Sequence, residues 1–180
     1  IGAAGTLTIN AAGARTFTGM VTNAGIWNNS GNRAVTFGTD VSNSGTFTGG
    51  TALQTFSANP AQLLGTAAMS FGGALTASNG LTVNKASGTV TVSGVFTVGA
   101  TGLTLTAGAI NLANTVAVTG PTSITGILTH TAITGTKTYT GAVTINSGGT
   151  MTETVAEPVA FGNNVSVNAG GTLTEFGAAT

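Results

Sequence analysis

The chain has 180 residues, of which 41% are hydrophobic and only 4% are charged, and its formal net charge is zero. Disordered chains usually combine low hydrophobicity with high net charge, so this composition excludes a disordered chain and predicts a folded domain. A chain without net charge also lacks the electric field that attracts nucleic acid or acidic lipid, which argues against both as partners.

The chain contains no Cys, so a disulfide framework and thiolate metal sites are both excluded. It also contains no apolar run of about 18 residues, so no membrane-spanning helix is predicted. The first residue is Ile1 rather than Met, in the middle of a repeating pattern. We expect either a processed exported chain or part of a longer one, and the sequence leaves both open.

Short runs that alternate Thr with an aliphatic residue recur from one end of the chain to the other. Examples are Thr6-Leu7-Thr8-Ile9, Thr89-Val90-Thr91-Val92 and Val143-Thr144-Ile145. Turns rich in Asn and Gly separate them, such as Asn23-Ala24-Gly25 and Asn43-Ser44-Gly45, where both residue types tolerate positive φ. An alternation of period two indicates strands with one buried face.

Aromatic residues followed by small residues and then an aliphatic residue mark a longer repeat. We align Phe17, Phe37, Phe71, Tyr139 and Phe161 as equivalent positions of this repeat. The clean intervals are roughly 20 residues, which suits one coil of a parallel β-helix rather than one blade of a propeller. The sequence therefore predicts an all-β fold, a single parallel β-helix (β-solenoid) of about eight coils of roughly 20 residues, with residues 1–180 as one domain.

The pattern is broken between residues 54 and 70. Asn59-Pro60-Ala61-Gln62-Leu63-Leu64 resembles a helical segment, and a proline cannot donate a hydrogen bond within a central strand. We therefore expect a loop or short helix to leave the solenoid there.

The segment from Tyr139 to Thr152 reads Tyr-Thr-Gly-Ala-Val-Thr-Ile-Asn-Ser-Gly-Gly-Thr-Met-Thr, and the segment from Phe161 to Thr174 is a second copy. This motif resembles the repeat of autotransporter passenger domains and related bacterial adhesins. The resemblance implies a right-handed parallel β-helix that is exported and displayed at a cell surface. It implies no catalytic residues, because the repeat contains none.

The residues able to support titratable chemistry are few and scattered: Arg15, Arg33, Asp40, Lys85, His130, Lys137, Glu153, Glu157 and Glu175. His130 has no second His nearby to complete a zinc site, and Asp40 alone cannot supply the ligands of calcium. Stacked coils could bring Glu153 and Glu175 together as a glycosidase pair, but four acids in all are too few for a polysaccharide-cleaving cleft. We predict that the chain is not an enzyme and uses no cofactor and no metal.

Thr-x-Thr units such as Thr16-Phe17-Thr18, Thr104-Leu105-Thr106 and Thr136-Lys137-Thr138 resemble the threonine arrays of ice-binding solenoids. Such an array requires the pairs to share one face, and their irregular spacing favours an ordinary strand role instead.

The one Trp, Trp27, could anchor an interface or a sugar if it is partly exposed. Phe17, Phe37, Phe47, Phe71, Phe96 and Phe161 are predicted to form a core stack. Asn28 and Asn164 begin glycosylation sequons, and whether they carry glycans is left open.

Both ends of the chain read as strands rather than as caps, and an uncovered strand edge is a template for pairing. We therefore predict a structural subunit of an extracellular or cell-surface filament, in which the protein partners itself head to tail. A segment of a larger surface adhesin, with possible contacts to surface glycans, is the alternative, and ice binding or polysaccharide cleavage is less favoured. The residues expected at the assembly interface are Thr6, Leu7, Thr8, Ile9, Thr172, Leu173, Thr174 and Phe176.

Overall fold

The computed structural model describes residues 1–175, and within them it contains 23 β-strands and no helix. The strands are, in chain order, β1 (Thr6–Thr8), β2 (Arg15–Phe17), β3 (Val21–Asn23), β4 (Ile26–Asn28), β5 (Val35–Phe37), β6 (Val41–Asn43), β7 (Thr46–Thr48), β8 (Gln54–Phe56), β9 (Ala61–Gly65), β10 (Met69–Phe71), β11 (Leu75–Ala77), β12 (Gly80–Val92), β13 (Phe96–Val98), β14 (Gly102–Leu112), β15 (Val116–Val118), β16 (Thr122–Ile124), β17 (Ile127–His130), β18 (Lys137–Tyr139), β19 (Val143–Ile145), β20 (Thr150–Glu153), β21 (Val159–Phe161), β22 (Val165–Val167) and β23 (Thr172–Thr174).

All strand pairs are parallel, and they form three ladders that we name face A, face B and face C. Face A contains β2, β5, β8, β11, β13, β15, β18 and β21 in that order. Face B contains β3, β6, β9, the first parts of β12 and β14, then β16, β19 and β22. Face C contains β1, β4, β7, β10, the last parts of β12 and β14, then β17, β20 and β23.

Each coil contributes one strand to each face, so β2 to β23 make eight coils of a parallel β-solenoid, preceded by β1. The interval between successive face A strands varies from 19 residues, Val35 to Gln54, to 22 residues, Lys137 to Val159. The predicted fold class and coil number are confirmed. The connections between faces absorb the variation in length, which leaves the strands in register.

Residues 54–70 form a regular coil rather than a helix. β8, β9 and the start of β10 occupy this stretch, and the connection between β8 and β9 contains a cis peptide bond between Asn59 and Pro60. Ala61 and Leu63 are buried and Gln62 between them is half-buried, which is the alternation of a strand. Because Pro60 precedes β9, it removes no hydrogen bond from the ladder.

The core runs along the axis between the three faces and is aromatic in its first half. Phe17, Trp27, Phe37, Phe47, Phe56 and Phe71 contact one another ring to ring, with centroid distances from 4.9 to 6.4 Å. The alignment of Phe71 with Phe17 and Phe37 was wrong, because Phe71 lies on face C in β10 whereas the other two lie on face A. Mainly aliphatic side chains fill the coils that follow. Phe96 is buried there, separate from the six stacked rings, and Phe161 stacks on Tyr139 with ring centroids 6.0 Å apart.

Buried asparagines satisfy the backbone at the bend between faces B and C in the first coils. Nδ2 of Asn23 donates to Oδ1 of Asn43 at 2.7 Å and to the Thr46 carbonyl at 2.8 Å. Nδ2 of Asn43 in turn donates to the carbonyls of Gly45 and Ala68. These residues therefore act through their buried amides and not through the positive φ expected of them.

Candidate functional site

The predicted assembly residues lie in the first and last strands of face C. β1 contains Thr6, Leu7 and Thr8, and it pairs on one side only, with β4. β23 contains Thr172, Leu173 and Thr174, and it likewise pairs only with β20. Within residues 1–175 each of these strands therefore has one edge free of strand pairing. Ile9 is instead buried, and Phe176 lies outside the described residues.

Core-type side chains are incompletely covered in the last described coil. In the inner coils the corresponding positions are fully buried, as Val143 and Ile145 are on face B. One coil further, their register partners Val165 and Val167 are half-buried and 47% exposed, respectively. Leu7 and Leu173 on face C are half-buried in the same way. The terminal coils thus present apolar surface along the axis.

The backbone of Ile1 occupies the place beside β3 on face B. Its terminal amine donates to the Thr22 carbonyl at 2.6 Å, and its carbonyl accepts from the Ala24 amide at 2.9 Å. Ile1 therefore extends the face B ladder by one position beyond β3.

A second candidate site is a buried polar cluster in the sixth and seventh coils. Nε2 of His130 lies 2.9 Å from the Tyr139 hydroxyl, and both residues are buried. Glu153, also buried, is the register partner of His130 in the neighbouring strand. Burial, and then the positive charge of Lys137, lowers the pKa of His130 to about 4, so the imidazole is neutral at pH 7. Burial and the Glu153 carboxylate raise the pKa of Tyr139.

Lys137 is the buried cation of this region. Its Nζ donates to Oε2 of Glu157 at 3.1 Å and to the carbonyls of Thr134 and Gly135 at 2.9 Å. Its side chain is fully buried, whereas that of Glu157 is 13% exposed. Three acceptors around one ammonium group make a structural ion pair, since every donor proton is used.

Glu153 and Glu175, the two acids considered as a glycosidase pair, directly follow Thr152 and Thr174, which are register partners in β20 and β23. Glu153 is buried inside the solenoid, and Glu157 is bound to Lys137 at the connection that follows β20. Glu175 is half-buried directly after β23. Among residues 1–175, no three His, Cys, Asp or Glu side chains gather in a way that could hold a metal ion.

Trp27 does not serve as an exposed anchor. It is fully buried, stacks on Phe47 with ring centroids 5.3 Å apart, and also contacts Phe17 and Phe37. The sequon residue Asn28 is half-buried on the outside of face C, and Asn164 is exposed before β22. Asp40 accepts hydrogen bonds from the backbone and side chain of Gln62 on the next coil.

Sequence reasoning missed the buried polar cluster. The 20-residue interval from Lys137 to Glu157 is one coil length, and this interval was the one signal that could have paired them. The approach of His130 to Tyr139, nine residues apart, carries no such signal, because it depends on two faces meeting at the axis.

The described part of the chain contains no helix that could cross a membrane. Its geometry defines a parallel β-solenoid with hydroxyl-rich outer faces. No protein-family model matches the chain, and no curated protein and no solved structure matches it either. The fold is therefore assigned from the strand pairing and the packing of the core alone.

Proposed function

We propose that this chain is a structural subunit of an extracellular or cell-surface filament that grows by head-to-tail stacking along the solenoid axis. The observation that carries the proposal is the partial exposure of Val167, Val165 and Leu173, which occupy core positions in the last described coil. A second copy placed on this coil would bury them. It would also pair the free edges of β22 and β23, which otherwise depend on water.

The two face C edges suit each other in sequence. β23 reads Thr-Leu-Thr and so does β1, so pairing them in register places Leu173 against Leu7 in the core. The outward Thr residues of one copy then continue those of the next. A contact between two different surfaces of the same chain repeats without closing, which produces a fibre rather than a ring.

The spiral order of the strands indicates which strands would meet at the joint, the contact between the last coil of one copy and the first coil of the next. After β23 the next places belong to faces A, B and C, and the next copy supplies Ile1 on face B and β1 on face C. Faces B and C therefore continue across the joint. Residues 1–175 supply no strand for the place on face A at this contact.

A segment of a larger surface adhesin is the alternative function. Further coils of the same polypeptide would then cover the same core positions, and the uncharged outer faces would be available for surface glycans. Neither role uses catalysis, and neither requires access to the buried His130 and Glu153.

Negative-stain electron microscopy and sedimentation velocity of the purified chain at neutral pH test the proposal. We expect unbranched fibres from the wild type and monomers from Val167→Lys, which places a charge at the joint. Ile127→Lys is the matched control, because Ile127 is 48% exposed in the middle of face C, and it should form fibres. A wild type that stays monomeric overturns the filament and favours the adhesin segment. Fibres from Val167→Lys would contradict the placement of Val167 at the contact between copies.

A further inference from the structure

The outside of face C carries two parallel files of residues. On eight of the nine strands a buried or half-buried residue points inward between two outward neighbours. In β10 the exposed Ser70 lies between the buried Met69 and Phe71, so this strand contributes to the second file only. The first file contains Thr6, Ile26, Thr46, Thr89, Ala109, Ile127, Thr150 and Thr172. The second file contains Thr8, Asn28, Thr48, Ser70, Thr91, Asn111, Thr129, Thr152 and Thr174.

Threonine dominates both files. Eleven of these seventeen residues are Thr, and five strands carry a Thr in both files: β1, β7, β12, β20 and β23. The Thr-x-Thr units singled out from sequence lie elsewhere, since Thr16 and Thr138 belong to face A and Thr104 belongs to face B. The condition that pairs share one face is thus met by a different set of threonines.

The two files form a regular two-dimensional array. Neighbouring coils are about 4.8 Å apart, and residues two positions apart on a parallel strand are about 6.6 Å apart. The face C register continues through nine strands from β1 to β23. Threonine is branched at Cβ and stiff at χ1, so its methyl and hydroxyl groups repeat with the same spacings as the backbone.

Charged side chains are missing from this surface. The seventeen outward residues of face C include no Asp, Glu, Lys, Arg or His, and each is exposed or half-buried. The neighbouring His130 and Glu153 point inward and are buried, and Lys137 lies on face A with its ammonium held by Glu157. A charged group would orient the water molecules around itself. The methyl and hydroxyl groups of Thr perturb the arrangement of the adjacent water much less.

We infer that face C binds the surface of an ice crystal. An ice plane presents rows of oxygen atoms at fixed spacings in two directions, and the two files likewise present hydroxyls at fixed spacings in two directions. A crystal surface is extended, rigid and uncharged, so it is the ligand that matches an extended, rigid and uncharged array. Face A is a poorer match, because its threonines form a single file that Ala117 interrupts, and the flanking positions include Gly38 and Gly99. The threonines of this file are Thr16, Thr36, Thr55, Thr76, Thr97 and Thr138.

Thermal hysteresis and partition into a growing ice hemisphere test the inference on the full chain. We expect the wild type to concentrate in the ice and to separate the freezing and melting temperatures. Thr91→Lys, in the centre of face C, should lose both effects. Thr76→Lys is the matched control, because Thr76 is equally half-buried at the centre of face A, and it should retain both. Circular dichroism establishes that each variant is folded.

Three outcomes overturn the inference. The folded wild type could be excluded from ice, the two lysine variants could lose ice affinity equally, or Thr91→Lys could retain it. Association of copies through face C, or binding of a glycan there without ice affinity, would assign the array to another ligand. The filament proposal is tested independently of ice binding. Val167 lies outside both files, so Val167→Lys should bind ice as a monomer.

Discussion

The Tyr139 hydroxyl lies 2.9 Å from Nε2 of His130 in the closed interior of the solenoid. The phenol comes from face A and the imidazole from face C, so the contact joins two faces across the axis. Because burial raises the pKa of Tyr139, its hydroxyl keeps its proton at physiological pH. The pair is therefore a hydrogen bond between two neutral groups within the buried polar cluster.

This contact predicts that the protein loses stability in mild acid. The pKa of His130 is about 4 in the folded chain against an ordinary 6.5. Between these values the unfolded chain binds a proton that the folded chain does not, so the free energy of unfolding falls as the pH is lowered through this window. At pH 4.5 the loss from His130 alone is about 2–3 kcal/mol, and above pH 6.5 it is less than about 0.5 kcal/mol.

Urea unfolding at pH 7 and pH 4.5 measures this loss. The variant His130→Gln keeps a polar side chain beside Tyr139, Lys137 and Glu153 but does not titrate. Its free energy of unfolding should fall less than that of the wild type over the same window, since only carboxylates then contribute. Equal pH dependence in both proteins would contradict the prediction.

Replacing Glu157, the acid of the buried ion pair, should reduce the free energy of unfolding more than replacing Lys137, its base. Glu157→Gln leaves the Lys137 ammonium buried with two carbonyls, and we expect a loss of about 2–3 kcal/mol. Lys137→Leu removes the charge and places an aliphatic side chain between its register partners Val116 and Val159, so we expect a loss below about 1 kcal/mol. Chemical denaturation measures both, and the reverse order would refute the assignment.

The buried Asn43 amide should be among the most sensitive polar positions. Asn43→Ala removes the acceptor of Asn23 and the donor to the Gly45 and Ala68 carbonyls, which remain near the bend. We expect a loss of about 2–4 kcal/mol, because buried polar groups are left without partners. Ser42→Ala, the outward neighbour on the same strand, is the control and should change stability by less than about 0.5 kcal/mol.

The aromatic stack should supply much of the stability of the first coils. Phe37 contacts Phe17, Trp27, Phe47 and Phe56, with the shortest centroid distance of 4.9 Å to Phe56. Phe37→Ala should cost about 3–5 kcal/mol, since it opens a cavity in the centre of the stack. Thermal unfolding followed by tryptophan fluorescence is a suitable measurement, because Trp27 reports directly on the site. An unchanged midpoint would contradict the central position of Phe37.

Repeating patterns were sufficient to predict the architecture. The alternation of Thr with aliphatic residues marks strands, and an interval of roughly 20 residues marks coils, because both follow from the geometry of the backbone alone. The apparent helix near Leu63 was wrong because the apolar pair Leu63-Leu64 hides a period of two, in which Leu63 is buried and Leu64 is half-buried.

The face on which each strand lies could not be predicted from these patterns. A period of two shows which side chains point inward but not toward which neighbour, so Phe71 was aligned with Phe37 although the two lie on different faces. Connections of variable length hide the true register. For the same reason the threonine pairs that share face C were not the ones chosen from sequence.

The sequence by itself determined a neutral, strand-rich chain that stacks in coils, since composition and period express local backbone preference and burial. Only the tertiary structure decided that Trp27 is buried, that His130 meets Tyr139, and that Lys137 is paired inside the core. These contacts depend on which residues of the three faces come together at the axis. The lengths of all the connections between strands determine this jointly. No single stretch of residues carries this information.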